Sequence, residues 1–333
     1  MTTCAVTGGT GHLGANLVPL LLARGNRVRV VANQRPCAPA LAGLELEVVV
    51  ADVRDFAAMR QAFSGVEVVY HLAAVISIHG DPSGLVRSVN VGGARTAAEA
   101  ALAAKVRRFV HTSSVHAFDH APIDAPLDEG RARPGRSHPA YDRSKADGEA
   151  AVREVIARGL DAVIVNPSGV IGPRDFAPSR MGTFFLELAR GRWPALPAGG
   201  FDWVDARDVA SSIIAAAEHG RTGENYLLGG RWHSVATLAD MAAAATGVAR
   251  RRIPIPMPVA RGLSRVVAPA MRLARRANTF TPDAIHALRG NRRIRWDKAA
   301  RELGHRARPT EQTVVDLYDS FAARGLLALP VRA

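Results

Sequence analysis

The stretch that most limits what this chain can fold into is Gly8-Gly9-Thr10-Gly11-His12-Leu13-Gly14. It follows a short apolar run at 4–7 and opens into a helical pattern through Leu17, Val18, Leu20, Leu21 and Leu22. A strand that turns through glycines straight into a helix reads as one βα unit of a parallel sheet. The glycines permit a tight turn and close approach of another group to the backbone, and the helix N-terminus favours negative charge. Together these features suit the pyrophosphate of a dinucleotide, with Gly8, Thr10, Gly11, His12, Leu13 and Gly14 as candidate binding residues. Two glycine spacings are readable, one from Gly8 and one from Gly9, each continuing to Gly11 and Gly14.

Strand patterns recur at 27–32, 46–51, 66–70, 107–112 and 160–165, with helical patterns at 55–63 and 84–104 between them. This alternation predicts an α/β fold, a doubly wound parallel sheet of Rossmann type covered on both faces. The second strand ends at Ala32-Asn33-Gln34-Arg35, where an NAD site places an acid against the ribose 2′-hydroxyl. With no carboxylate there, Asn33 and Arg35 favour NADP(H), with NAD(H) as the alternative. Asp52 and Val53 close the third strand, and Asp52 either meets the adenine edge or caps the next helix. Leu72, Ala73 and Ala74 follow the fourth strand, the two alanines leaving room for a cofactor against the backbone.

Two further features carry chemistry. The fifth strand ends at Thr112-Ser113-Ser114, beside the crevice at the strand carboxyl ends. A hydroxyl there can donate to a carbonyl oxygen, although a turn or cap uses the same residue types. Tyr141 and Lys145 lie four residues apart, on one face of a helix. A phenol is a poor acid near neutral pH, with a pKa of about 10, and an ammonium one turn away favours the phenolate. That makes Tyr141 a usable proton donor or acceptor. The Pro- and Arg-rich segment 121–139 reads as a long loop over the site.

Composition bounds the remaining readings. The net charge of +13 is local, because residues 250–308 hold 16 Lys and Arg against Asp283, Asp297 and Glu302. No base-stacking platform for nucleic acid accompanies this patch. It reads as a solvated surface, or as one that attracts an anionic substrate or an acidic lipid surface. Within it, Val259, Leu263, Val266, Val267, Met271 and Leu273 alternate with Arg261, Arg265, Arg272, Arg275 and Arg276. This is a basic amphipathic stretch, which Pro269 is expected to break in two. Cys4 and Cys37 have no metal-ligand spacing, no apolar run is long enough to span a bilayer, and no signal peptide is visible. The expectation is a cytoplasmic enzyme without a metal.

The segment from Thr7 to Gly14, Asp52-Val53, Ser113-Ser114 and Tyr141 with Lys145 are joined by later segments: Asn166-Pro167-Ser168-Gly169, Trp203-Val204-Asp205-Ala206-Arg207-Asp208 and Tyr226-Leu227-Leu228-Gly229-Gly230. In this order they resemble the extended short-chain dehydrogenase/reductase superfamily, to about residue 245. The chain is most similar to its dihydroflavonol-4-reductase-like and hydroxysteroid-dehydrogenase-like members and to bacterial nucleoside-diphosphate-sugar epimerases. The resemblance implies that Tyr141 is the general acid/base and that Lys145 lowers its pKa and binds the nicotinamide ribose. Ser114, with Ser113 as the fallback, would hold the substrate oxygen. Asn90 matches a family asparagine with a structural or proton-relay role, and Pro167 would pack near the nicotinamide. Asp205, Arg207 and Asp208 look like a structural turn.

The resemblance also implies an NAD(P)-binding domain at 1–167 with about 203–230, and a smaller, mainly helical substrate domain at 168–202 and 231–333. Helical patterns at 184–190, 234–246, 297–303 and 310–323 fit that smaller domain, and a helical pattern at 209–218 with a strand at 225–228 fits the part that returns to the sheet. Family members often form homodimers through two helices, here 84–104 and 139–158. Candidate pocket walls are His116, Phe118, Phe176, Met181, Phe201 and Trp203, each a residue type that also serves as core. The expected reaction interconverts a ketone and a secondary alcohol on a fairly apolar small molecule, with a cyclic one in view. The alternative is a nucleotide-sugar epimerase or dehydratase that retains NAD. Val115-His116 stands where family dehydratases carry an acidic pair, which counts against dehydration.

Overall fold

The computed structural model describes residues 1–33, 39–273 and 280–328. The predicted alternation is present as β1 (Thr3–Thr7), α1 (His12–Ala23), β2 (Arg27–Ala32), β3 (Glu47–Val50), α2 (Phe56–Ala62), β4 (Val68–His71), α3 (Leu85–Arg87), α4 (Ala94–Ala103), β5 (Arg108–Thr112), α5 (Ala140–Ile156) and β6 (Ala162–Pro167). Beyond it come β7 (Gly169–Ile171), α6 (Arg180–Ala189), β8 (Ala195–Pro197), β9 (Gly200–Asp205), α7 (Ala206–His219), β10 (Asn225–Leu228), β11 (Arg231–Ser234) and α8 (Val235–Thr246). The chain closes with β12 (Ile253–Ile255), α9 (Met257–Leu273), α10 (Pro282–Ala287), α11 (Asp297–Leu303) and α12 (Thr310–Ala322).

The central sheet has the order β10-β6-β5-β4-β1-β2-β3, with every pairing parallel. The winding direction reverses between β1 and β4, and that switch point opens a crevice at the strand carboxyl ends. Helices cover both faces because the strands are apolar on both sides. Leu17, Val18 and Leu21 of α1 pack with Val209, Ile213 and Ile214 of α7 on one face. On the other, Phe63 beside α2, Ala97 and Ala101 of α4, and Val152 and Val155 of α5 form a second cluster. A third core joins Phe185, Leu188, Leu238, Leu317, Tyr318 and Phe321 next to a small sheet of order β11-β9-β7. Residues 203–205 belong to that small sheet, and β10 returns to the large one. Asp205 ties the two regions together: its carboxylate pairs with Arg207 at 2.7 Å and accepts from Thr313 of α12 at 2.8 Å.

Three local features differ from the sequence expectation. The helix expected at 84–104 contains a π-helical turn, Ser88–Gly93, between α3 and α4. It directs the Asn90 amide to Val75 O and Ser144 Oγ, both at 2.9 Å, while Val75 N donates to Asn90 Oδ1 at 2.8 Å. Gly148 of α5 passes so close to this turn that a Cβ there would lie 2.4 Å from Asn90 O. Second, α9 runs unbroken through Pro269 to Leu273. A proline removes only one backbone hydrogen bond, here to the carbonyl of Arg265, and its fixed φ of about −65° is itself helical, so the neighbouring bonds carry the helix across. Third, α10 was not expected: six residues are too few for periodicity, yet Thr281 caps it from Ala284 N and Pro282 opens it.

A buried carboxylate fastens α5 to the sheet. Glu149, 1% exposed, accepts from Asn166 Nδ2 at 2.6 Å and Asn225 Nδ2 at 2.9 Å, and pairs with Arg133 at 2.9 Å. Asn225 Nδ2 also donates to Asn166 Oδ1 at 2.7 Å, and Arg153 donates to Asn225 Oδ1. Removing the carboxylate takes one acceptor from each of two buried amides and the ion-pair partner from Arg133. Glu149→Ala is therefore expected to lower unfolding free energy by about 3 kcal/mol or more, and Glu149→Gln by less, in urea titrations. A loss below about 1 kcal/mol for the alanine variant would place the fastening elsewhere.

Candidate active site

The crevice begins at the glycine turn. Gly8 has φ +70°, and a Cβ there would lie 2.9 Å from Ala73 N. A Cβ on Gly14 would lie 2.5 Å from Gly8 O, so the turn closes only with hydrogen at that position. Gly11 caps α1 without a side-chain hydrogen bond, and the first turn carries no acid. The first-turn amides and the positive end of the helix are thus left for an anion. Ala73 N donates to Thr7 Oγ1 at 3.2 Å, which draws the ends of β1 and β4 together under the turn. This cradle fits the diphosphate of a dinucleotide.

The remaining candidate binding residues divide by environment. Thr10 and Leu13 lie partly exposed beside the turn; after β4, Leu72 is partly exposed and Ala74 exposed. His12 points instead to the carbonyls of Gly172 and Pro173, at 3.0 and 3.1 Å, and so fastens α1 to the loop after β7. Asp52 is gripped by Arg54, at 2.5 Å for the closest pair, while Asp55 caps α2 from Ala58 N. The Arg54 hydrogen bond holds the Asp52 carboxyl below its ordinary pKa. Val53 is buried against Gly93, Asn33 is exposed at the end of β2, and Pro167 is buried opposite Leu228. Arg35 lies outside the described residues.

At the ends of β5 and α5 the structure joins Ser114, Tyr141 and Lys145. Ser114 accepts from His116 N at 3.2 Å, and its hydroxyl lies near enough to the Tyr141 phenol to favour the phenolate. Ser113 takes no such position: its amide bonds Val165 O and its hydroxyl is buried without a partner. Asn166 Nδ2 donates to Ser114 O at 2.9 Å, which extends the Glu149 network to the serine turn. Lys145 is buried, with Nζ donating to Thr112 O at 3.3 Å and lying 6.0 Å from the Tyr141 ring centroid.

Burial lowers the Lys145 ammonium to about 8, against the opposing charge of Glu149. The Tyr141 phenol is raised, not lowered, in the protein as it stands. Desolvation dominates and, with the charge of Asp142, outweighs the opposing effect of the Ser114 hydroxyl, while the ammonium is turned toward a carbonyl oxygen. Below the site, His71 and His111 stack at 5.6 Å. Burial drives His71 down to about 3 and His111 well below its ordinary value, so both are neutral beside Lys145.

Beside Tyr141 lies a cavity of about 160 Å³ whose wall includes His116, His120, His138, Asp142 and His286. His116 is held on three sides. It stacks on Phe201 at 5.3 Å, meets the Tyr141 ring edge-on at 5.6 Å, and lies 3.1 Å from Asp142 Oδ1. Burial raises the Asp142 carboxyl, but the facing imidazoles of His116, His286 and His120 bring it below its ordinary value overall. Of the candidate wall residues, His116 and Phe201 therefore come together, with Trp203 behind them at 5.7 Å from Phe201. Phe118 is core, 1% exposed beneath the Arg133 guanidinium. Phe176 sits between the guanidiniums of Arg174 and Arg324, and Met181 packs on the third core.

Sequence reasoning did not single out Asp142, His120, His286 or Glu149. The first adjoins Tyr141 and the last continues its helix face, whereas His120 and His286 meet only through folding. Asn291 arranges that meeting by donating to His120 O and Ala125 O, at 3.3 and 2.6 Å. Among the described residues no group of three or more His, Cys, Asp or Glu has metal-holding geometry.

Known proteins place this arrangement. Residues 4–229 match the model of the NAD dependent epimerase/dehydratase family. Sterol demethylase protein B of Methylococcus capsulatus is 37% identical over 98% of this chain and 100% of its own length. A ketoreductase of Stigmatella aurantiaca, named for a 4-hydroxy-2-methyl-3-oxo-4-farnesyl-3,4-dihydroquinoline-1-oxide substrate, is 28% identical over 98% of this chain and 99% of its own. The crystal structure of a nucleoside-diphosphate-sugar epimerase from Pseudomonas aeruginosa superposes with a TM-score of 0.80 at 25% identity, covering 98% and 99% of the two chains. With the glycine cradle, the parallel sheet and the tyrosine–lysine helix in place, the chain belongs to the NAD-dependent epimerase/dehydratase family, within the extended short-chain dehydrogenases/reductases.

Proposed function

We propose that this chain is an NADP(H)-dependent oxidoreductase that interconverts a ketone and a secondary alcohol on a largely apolar, ring-containing substrate. The observation that carries the reading is a desolvated Tyr141 beside Ser114, with Lys145 one turn away, and a glycine cradle for an anion at the same carboxyl edge of the parallel sheet. Gly8, Thr10, Gly11, Leu13 and Gly14 would hold the diphosphate, and Lys145 the nicotinamide ribose. When bound, the nicotinamide supplies or accepts the hydride at the carbonyl carbon.

The protein's own groups handle the oxygen. In reduction, Ser114 donates to the substrate oxygen, and Tyr141, kept protonated by burial, gives up its proton as charge develops there. The charge of Lys145 stabilises the phenolate left behind. In oxidation the same transfers reverse. His116, fixed by Asp142 and Phe201, forms the wall beside the reacting oxygen.

The names of the two relatives, one a sterol enzyme and one acting on a farnesylated quinoline ketone, support an apolar ring system. Residues 168–202 and 231–333 would form the substrate domain, and α10 brings His286 to the cavity. The lack of an acid at Asn33, at the end of β2, supports NADP over NAD. Nucleotide-sugar epimerisation with retained NAD is the competing reading, favoured by the superposition on the Pseudomonas protein.

Three outcomes test the proposal. Tyr141→Phe should lower kcat for ketone reduction by about 10²–10⁴-fold while the affinity for NADPH, read by fluorescence titration, stays within a few-fold; undiminished turnover removes Tyr141 from the chemistry. For the free enzyme, kcat/KM for reduction should be flat below and fall above about pH 8, as Lys145 loses its charge. Lys145→Arg should abolish that limb, since a guanidinium stays charged throughout the accessible range. Finally, nucleotide released on denaturing freshly purified protein should be absent or NADP(H); stoichiometric NAD would favour the epimerase.

A further inference from the structure

The outward face of α9 is unlike the rest of the surface. Ala260 and Ser264 are buried and seat the helix, while Val259, Leu263 and Val266 stand 50%, 44% and 71% exposed. Spaced at i, i+4 and i+7, these three form one ridge. Ile253, 66% exposed on β12, adds to the apolar surface just before it. Arg261 and Arg265 are exposed on the opposite flank of the same outward side, and Arg251 precedes them. Among the described residues none of these three arginines forms an ion pair, and the sequence from 241 to 282 holds eight arginines and no acid.

We propose that this face docks on an anionic lipid bilayer, with the Val259–Leu263–Val266 ridge in the headgroup boundary and the arginines on lipid phosphates. An apolar ridge flanked by unpaired cations is the arrangement of a helix that lies in a membrane interface. The charge decides the occupant. A second copy meeting this face would set arginine against arginine, and residues 241–279 contain no aromatic side chain on which nucleic-acid bases could stack. No helix among the described residues is long and apolar enough to cross a membrane, so the contact is with its surface.

The face also has an address. α9 packs on α10, and Met257 and Leu288 close together on Gly199. His286 and Ala287 of α10 line the cavity beside His116. A docked α9 therefore holds the cavity wall next to the bilayer, where a lipid-like substrate would enter. That purpose rests on the function proposed above; the docking itself rests on the surface alone.

The test uses the full chain, without substrate or nucleotide. Cosedimentation is measured with sucrose-loaded vesicles of phosphatidylcholine alone and with about 30 mol% phosphatidylglycerol, at low and high salt. Binding should be at least about tenfold tighter to the anionic vesicles and weaken with salt. The exposed triple variant Arg251→Glu, Arg261→Glu, Arg265→Glu, and separately Val259→Ser, Leu263→Ser, Val266→Ser, should each lose about tenfold or more in affinity. Both should reduce a small water-soluble ketone at the parental rate. Equal binding to neutral vesicles, no binding at all, or variants that turn a dimer into a monomer without altering vesicle binding would overturn the proposal. Vesicle binding by a protein that turns over no ketone would keep the docking and overturn the reductase.

Discussion

The geometry of the site depends on one buried charge. A carboxylate almost without solvent must be matched by donors, and Glu149 draws them from the loop before α5, from β6 and from β10. Asn166 then passes the constraint to the carbonyl of Ser114. The serine turn and the helix carrying Tyr141 and Lys145 are therefore positioned by the same network. It fixes relative placement to hydrogen-bond tolerance, which is what proton transfer between neighbouring hydroxyls requires. Glu149 lies one turn beyond Lys145 and also sustains the lysine's charge against the burial that depresses it.

The electrostatics around that network favour a definite protonation pattern. Lys145 is surrounded by groups that burial keeps uncharged, the stacked His71 and His111 below it and the phenol of Tyr141 beside it. Charged side chains at those positions would repel the ammonium or neutralise it. The resting proton thus belongs to Tyr141, the state a reductase needs at the start of its cycle. Asp142 repeats the device at the cavity, where a buried carboxylate is kept ionised by imidazoles and in return fixes His116.

Much of this was legible in the sequence because it is local. The glycine turn, the strand pattern at 27–32 and the tyrosine–lysine spacing each lie within a dozen residues, and their structures follow from φ freedom and helical periodicity. What was not legible depends on partners far apart in the chain. Ser113 and Ser114 are equivalent as letters, and only the approach of α5 separates them. The π turn at Asn90 answers to Gly148, 58 positions later. The short strands β7, β8, β11 and β12 offer too few residues for alternation to register. Phe118 and Phe201 look alike as aromatic candidates, yet a cation over one ring and an imidazole over the other put them in different roles.

The distribution of arginine carries the last step. In the sheet-bearing half many arginines sit against an acid, as Arg29 does with Glu47, Arg95 with Glu154 and Arg158 with Glu99. Such pairs add little stability each, but they leave little net charge on the surface. Among the described residues Arg251, Arg261 and Arg265 have no such partner, and the exposed apolar ridge begins in the same segment, whose sequence from 241 to 282 holds no acid. A surface selected only for solubility would intersperse charges of both signs and cover its valines. Two departures from that rule in one helix, resting against the cavity wall, are accounted for together by a partner that is both anionic and apolar.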